Sequence, residues 1–273
     1  MSEIFGFDAY APREIAQRVE TVGVAKARLS LLPLALLGVL AGAFIGLGAL
    51  SFVIVKSDAS LGYAAGQWLG GLVFSLGLLL VVVAGAELFT GNNLLAMAWA
   101  SGQISSTELL RNWSVACLAN LAGAAGLALL VFLSGHAQHN GGAIGQTVLK
   151  IALAKQALPW QEALFRGLLC NLLVCMAVWM AMAGRSVIDK AVAIVFPISA
   201  FVAAGFEHSI ANMYFMPLAW LLQQSGVVPA VPAITWSGML GNWIPVIAGN
   251  LLGGSVLVAL SYHVIYRRQP PRT

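Results

Sequence analysis

The sequence predicts an all-α membrane protein: six transmembrane helices in two three-helix halves of opposite orientation, with the second and fifth helices broken. Three observations predict it. The composition is too apolar for a soluble surface, six stretches are long and apolar enough to span a bilayer, and two polar interruptions repeat at a fixed spacing.

Hydrophobic residues make up 60% of the 273 and charged residues only 9%, with a mean hydropathy of +0.88. A soluble globular chain carries roughly 25% charged residues, so lipid has to cover much of this one. The formal charge of +4 comes from bases scattered at segment ends. No basic face with interleaved aromatics exists, and nucleic acid is not an expected partner. Cys117, Cys170 and Cys175 lie inside apolar segments and read as small buried hydrophobes, neither a disulfide frame nor a zinc site. The first 28 residues carry eight charged side chains and no continuous apolar core, so no cleavable signal peptide is expected.

A span needs about 20 apolar residues to cross ~30 Å of hydrocarbon. The regions that qualify are roughly 29–55, 65–100, 112–135, 162–183, 187–222 and 241–266. Arg166, near the start of the fourth, can snorkel. Six spans leave both termini on one side. With that side cytoplasmic, it holds Arg13, Arg18, Lys26, Arg28, Arg111, Arg185, Lys190, Arg267, Arg268 and Arg272, against Lys56, Lys150, Lys155 and Arg166 opposite. The positive-inside rule therefore puts both termini in the cytoplasm. Ahead of the first span, Ile15, Val19, Val22 and Ala25 recur at helical spacing opposite Arg13, Glu14, Arg18 and Glu20. That pattern predicts an amphipathic helix, lying either on the cytoplasmic leaflet or on the base of the protein itself. Three units follow: a cytoplasmic N-terminal segment at 1–28, a six-span domain at 29–266 with halves of about 29–135 and 162–266, and a cytoplasmic tail at 267–273.

The second and fifth stretches exceed one span and turn polar midway. Ala84-Gly85-Ala86-Glu87-Leu88-Phe89-Thr90-Gly91-Asn92-Asn93 matches Ala204-Gly205-Phe206-Glu207-His208-Ser209-Ile210-Ala211-Asn212-Met213 at an offset of 120. Asn112-Trp113 with Asn120 recurs as Asn242-Trp243 with Asn250 at an offset of 130. The chain therefore reads as a duplicated three-span unit, and since three is odd the second copy enters upside down. Paired interrupted helices in inverted repeats point to a midplane transport path.

At these residues the chain resembles the formate/nitrite transporters, from about Phe7 to Tyr266. Gly205-Phe206-Glu207-His208-Ser209-Ile210-Ala211-Asn212-Met213 and Glu87-Leu88-Phe89-Thr90 carry the likeness most specifically. Val174-Cys175-Met176-Ala177-Val178-Trp179-Met180 and Ile244-Pro245-Val246-Ile247-Ala248-Gly249-Asn250 support it. Arg185-Ser186, Asp189-Lys190 and Ile265-Tyr266 look closest to formate channels, whereas Gly91-Asn92-Asn93 stands where those channels carry small hydroxyl residues and an apolar one.

The resemblance implies an aquaporin-like protomer in a homopentamer, one pore each, in the bacterial cytoplasmic membrane. It implies small monovalent anions as cargo, formate foremost, then nitrite or hydrosulfide, and no cofactor or metal. Carried over, Thr90 and His208 mark the pore centre, Lys155 the vestibule and Asn250 the last helix. Phe74, Leu78, Leu88 and Phe201 correspond to the apolar constrictions.

His208 is the one histidine expected at membrane depth, where an ionisable group is costly and commonly marks an ion or proton path. It would either carry a compensating charge or donate a proton. Glu87 and Glu207 would repel an anion, and their expected role is structural, accepting freed backbone N–H groups at the helix breaks. Lys155 reads as a solvated loop charge or as an anion-concentrating charge at the pore mouth. Gly38, Gly42 and Gly46 form a small-residue stripe for close helix packing, within or between protomers. A membrane-embedded enzyme or redox subunit is the rival class. One intramembrane histidine suits haem poorly, Glu207-His208 lacks zinc-protease spacing, and no nucleophile–base pair is evident.

Overall fold

The computed structural model describes residues 8–267, and every element among them is helical. Phe7, the first residue of the resemblance, and Arg268 and Arg272 of the expected tail lie outside the described residues.

Helix α1 (Pro12–Ala27) starts on Pro12, with the Ala11 N–H donating to the Glu14 carboxylate at 2.8 Å. Its apolar face packs on the protein: Ile15, Ala16, Val19, Gly23 and Ala27 are buried, several against Leu94, Met97 and Trp179. Ala25, expected on that face, is exposed instead. Glu20 is buried too, and Arg267 Nε donates to it at 2.8 Å and Gln103 at 3.1 Å. Helix α1 is thus tied to Arg267, just past the last described helix.

Among the described residues five helices are long and apolar enough to cross a membrane: Leu31–Lys56, Tyr63–Gly85, Ser106–Leu133, Trp160–Ala181 and Trp236–Tyr266. The first is α2. The second is built from α3 (Tyr63–Phe74), α4 (Leu76–Leu79) and a π-helical turn, Leu80–Gly85. After residues 86–90 comes a short stretch, Gly91–Leu95 and α5 (Ala96–Ala100). Helix α6 (Ser106–Leu133) opens on a reciprocal Ser105–Glu108 cap. Helix α7 (Ala143–Gln156), absent from the sequence reading, precedes α8 (Trp160–Ala181).

The stretch expected at 187–222 forms two helices, α9 (Val187–Ala203) and α10 (Ser209–Gln224), each shorter than a span. Helix α11 (Trp236–Leu251) continues through a π segment into α12 (Ser261–Tyr266).

The glycine stripe works within one protomer. A Cβ on Gly38 would lie 2.6 Å from Ala119 Cβ, one on Gly46 2.6 Å from Leu127 Cδ2, and one on Gly42 would overlap the Asn120 carbonyl oxygen. Helices α2 and α6 therefore touch backbone to backbone. Gly249 and Gly253 do the same for α11 and its continuation against Leu164 and Leu168 on α8. Two of the molecule's helix pairs rest on the same steric device.

Gly42→Ala must push α2 off α6. Overpacking of this kind typically destabilises by about 1–3 kcal/mol, and more where backbone blocks relaxation. Gly241→Ala on α11 meets nothing within 4 Å and should stay within about 0.5 kcal/mol of the parent. Thermal unfolding of the detergent-solubilised protein, followed by size exclusion, separates the two. Equal melting of Gly42→Ala and the parent would contradict the packing described.

Candidate functional site

Two helix breaks, at 86–90 and 204–208, create the site. Each turns on a glycine in the left-handed region, Gly85 with φ +87° and Gly205 with φ +70°, which a side chain would strain. Much of the freed backbone finds a partner within the protein. Ala86 N–H donates to Val81 O and Phe206 N–H to Phe201 O, both at 3.0 Å. Glu87 N–H donates to Leu37 O and Glu207 N–H to Arg166 O, both at 3.2 Å.

One asparagine then brackets each break. Asn120 Nδ2 donates to Gly38 O (2.7 Å) and Glu87 O (2.9 Å), and its Oδ1 accepts from Phe89 N–H (2.8 Å). Asn250 Nδ2 donates to Gly167 O (2.8 Å) and Glu207 O (3.0 Å), and its Oδ1 accepts from Ser209 N–H (3.0 Å). The two lists correspond bond for bond. Asn250, carried over as a pathway residue, spends its amide on backbone and lines none of the cavities described below.

The carboxylates form a second matched pair of networks. Lys26 Nζ lies 2.9 Å from Glu87 Oε1, and Asn92 Nδ2 donates to Glu87 Oε2 (2.8 Å) and to Asn112 Oδ1 (2.9 Å). Asn112 Nδ2 returns to Lys26 O (3.0 Å). In the other half Lys155 Nζ lies 2.9 Å from Glu207 Oε1, and Asn212 Nδ2 donates to Glu207 Oε2 (2.6 Å) and to Asn242 Oδ1 (2.8 Å). Asn242 Nδ2 returns to Lys155 O (3.0 Å). The expected donors to the glutamates were freed backbone N–H groups. Their observed donors are a lysine and an asparagine, while carbonyls and asparagines take the backbone N–H groups of Ala86, Glu87, Phe89, Phe206, Glu207 and Ser209. Lys155 sits on the last turn of α7, not in a loop, and its side chain is only 14% exposed.

The two breaks meet at Thr90 and His208, both buried, with Thr90 Oγ1 3.1 Å from His208 Nε2. His208 caps α10, and Ala211 N–H donates to its Nδ1 at 3.3 Å. A backbone N–H can only donate, so Nδ1 accepts and the ring proton resides on Nε2, facing Thr90. Asn171 Nδ2 locks this centre from α8 through Asn250 O and Asn93 Oδ1, both at 2.7 Å, and Thr90 O at 3.2 Å.

Phe74, Leu78, Leu88 and Phe201 are brought together here. With His208, Ile45, Val174 and Ile198 they line a void of about 10 Å³, room for about one water at most. The Phe74 and Phe201 rings meet edge to face, centroids 5.8 Å apart. A cavity of about 580 Å³ reaches this waist at Leu78 and Leu88 and is lined by Arg18, Lys26, Glu87 and Lys190. A second, of about 300 Å³, reaches it at Phe74, Phe201 and His208 and is lined by Lys56, Lys155 and Glu207.

Lys26, Asn92, Asn171 and Asn212 were not singled out as site residues in the sequence. Lys26 had a signal, since it precedes Lys155 by 129 residues, one short of the asparagine offset. Asn171 had none.

The Lys155–Glu207 pair is largely buried, and breaking such a pair from one side costs about 3–5 kcal/mol, because the other charge stays behind. Lys155→Met should therefore destabilise the protein strongly, and the double variant Lys155→Met/Glu207→Gln should recover most of the loss. Thermal melts of the three proteins decide this. A double variant no more stable than Lys155→Met shows the pair is not coupled as drawn.

The family model for formate/nitrite transporters matches residues 13–264. The formate channel FocA of Escherichia coli (strain K12) is 38% identical over 96% of both chains. A solved pentameric formate channel with formate bound is 36% identical, with a TM-score of 0.80 over 86% of this chain and 97% of that one. A solved FNT family ion channel is 31% identical, with a TM-score of 0.84 over 94% and 99%. Two bracketed helix breaks meeting at one apolar waist thus coincide with likeness over almost the whole chain, and the protein belongs to the formate/nitrite transporter family.

Proposed function

We propose that this protein passes small monovalent anions, formate foremost, across the bacterial inner membrane through the waist between its two cavities. The observation that carries the reading is the waist itself: apolar side chains close it, and His208, 3.1 Å from Thr90, supplies its polar contact. Relatives named as formate channels and a solved pentameric formate channel support formate as cargo and a homopentamer with one path per protomer. The chain is a multi-pass membrane protein. In this reading it makes six crossings: the five long helices, and α9 with α10 together as the sixth. Both termini are cytoplasmic, as the distribution of Lys and Arg suggests, and the halves at about 29–135 and 162–266 lie in opposite orientations within the 29–266 channel domain.

Each residue then has a task. Leu78 and Leu88 form the constriction on the cytoplasmic side, Phe74 and Phe201 the one opposite. Glu87, Glu207 and Asn250 hold the breaks, and Lys155 keeps Glu207 neutralised. An unpaired ion in the waist costs several kcal/mol. His208 meets the cargo as a neutral hydrogen-bond donor. A proton added at Nδ1 would face the Ala211 N–H, and a cation would sit at the positive end of α10. Without a fixed cation at the centre, formate crosses the apolar pairs together with a proton taken up in the cavity, as the neutral acid.

Vesicles carrying the protein should take up formate well above empty controls, with nitrite and hydrosulfide as comparison anions. His208→Asn keeps a donor but displaces it. Losing one hydrogen bond of about 0.5–1.5 kcal/mol should lower flux roughly three- to tenfold while leaving its profile between pH 5 and 8 in place. His208→Phe should lower it further. A wild-type pH step that vanishes in His208→Asn would overturn the neutral-donor role, and flux equal to the controls would overturn the channel reading.

A further inference from the structure

We infer that Lys56 is the anion-docking group of the smaller cavity, the residue that a small carboxylate or oxyanion meets before it reaches Lys155 and His208. This rests on the channel reading above and adds a residue that the family pattern did not indicate.

The argument is one of charge. Lys56, Lys155, Arg166 and Glu207 line this cavity. Lys155 holds Glu207 through both carboxylate oxygens, at 2.9 and 3.0 Å. Arg166 Nη2 holds Glu162 at 2.7 Å. Each of those cations carries its own counter-charge and presents little net field to an approaching anion. Lys56 differs. Its Nζ donates to Gln67 Oε1 at 2.8 Å, and among the described residues no carboxylate stands within ion-pair distance of it. Asp58, two residues on, is turned to Ser60, accepting from its hydroxyl at 2.7 Å and its N–H at 2.8 Å.

Gln67 makes the arrangement a built one. Its Nε2 donates to Ala203 O at 3.1 Å, the last residue of α9 before the second break. A neutral amide anchored on the break thus fixes the ammonium group in place without cancelling its charge. An ammonium has three hydrogens, so two remain for an incoming ligand. Lys155, the vestibule lysine implied by the resemblance, is committed to structure. The uncompensated positive charge of this cavity is on Lys56.

The test is initial formate uptake by vesicles containing the full chain, against formate concentration, at ionic strengths of about 0.01 M and about 1 M, where the Debye lengths are ~30 and ~3 Å. Lys56→Gln should raise KM about three- to fivefold at low salt, in line with one unit charge acting across a few ångströms of water. Maximal rate should hold, and the salt dependence of KM should shrink. Lys56→Arg should behave as the parent. Lys150→Gln, an exposed charge on α7 that lines no cavity, should change nothing. Gln67→Glu sets a carboxylate against Lys56 and should reproduce the rise in KM with the lysine still present, and it decides the matter if Lys56→Gln fails to assemble. An unchanged KM, an equal effect in Lys150→Gln, or a fall in maximal rate at constant KM each overturns the docking role. A parent that does not conduct overturns the channel reading instead.

Discussion

Backbone that leaves the helix inside a bilayer has no water to turn to, and each unmet N–H or C=O there costs several kcal/mol. The architecture answers that constraint twice. An asparagine side chain offers two donors and an acceptor on one short stem, and Asn120 and Asn250 use both functions on the breaks they face. Aspartate in either place would lack the donors and leucine would lack everything. Each asparagine also reaches the carbonyl of a glycine on the neighbouring helix, Gly38 or Gly167. That reach requires the helices to lie almost in contact, which is why glycines stand where α2 meets α6 and where α8 meets α11.

The Lys–Glu–Asn networks serve the same end by other means. A glutamate at a break is anchored by a lysine and, through its Oε2, by an asparagine. Its charge is spent locally, so the breaks can hold acids in a protein whose cargo is an anion. The fixed charge of the cavities then falls to residues outside these networks.

How much of this the sequence revealed depends on the repeat. The echo of Asn112 and Asn120 in Asn242 and Asn250, and of Glu87 in Glu207, marks the frame, because both halves solve one backbone problem with the same residues. The partners of those residues are tertiary and were not legible: Lys26 counted only as a charge on the cytoplasmic flank, and the glutamates were expected to accept from backbone N–H groups, where a lysine and an asparagine donate. Helix α7 has Ile144, Val148, Leu149 and Ala152 at helical spacing, but at 14 residues it escapes a search for spans. The waist is where the halves disagree. At the offset of 120, His208 corresponds to Leu88 and Thr90 to Ile210. At 129, Asn171 corresponds to Gly42. Repetition exposes the scaffold, and departures from it mark the chemistry. Only the family likeness turned those departures into named residues.

The self-containment of each bracket bears on how the chain is made. Every partner of the first break in its bracket and ion pair lies between residues 26 and 120, and every partner of the second between 155 and 250. A chain inserted from the N-terminus holds every partner in the first bracket once Asn120 is made, before the second break has been synthesised. The second bracket closes only once Asn250 has been made. The contact between Thr90 and His208 joins the two units, and the asparagine bracket of neither one depends on it.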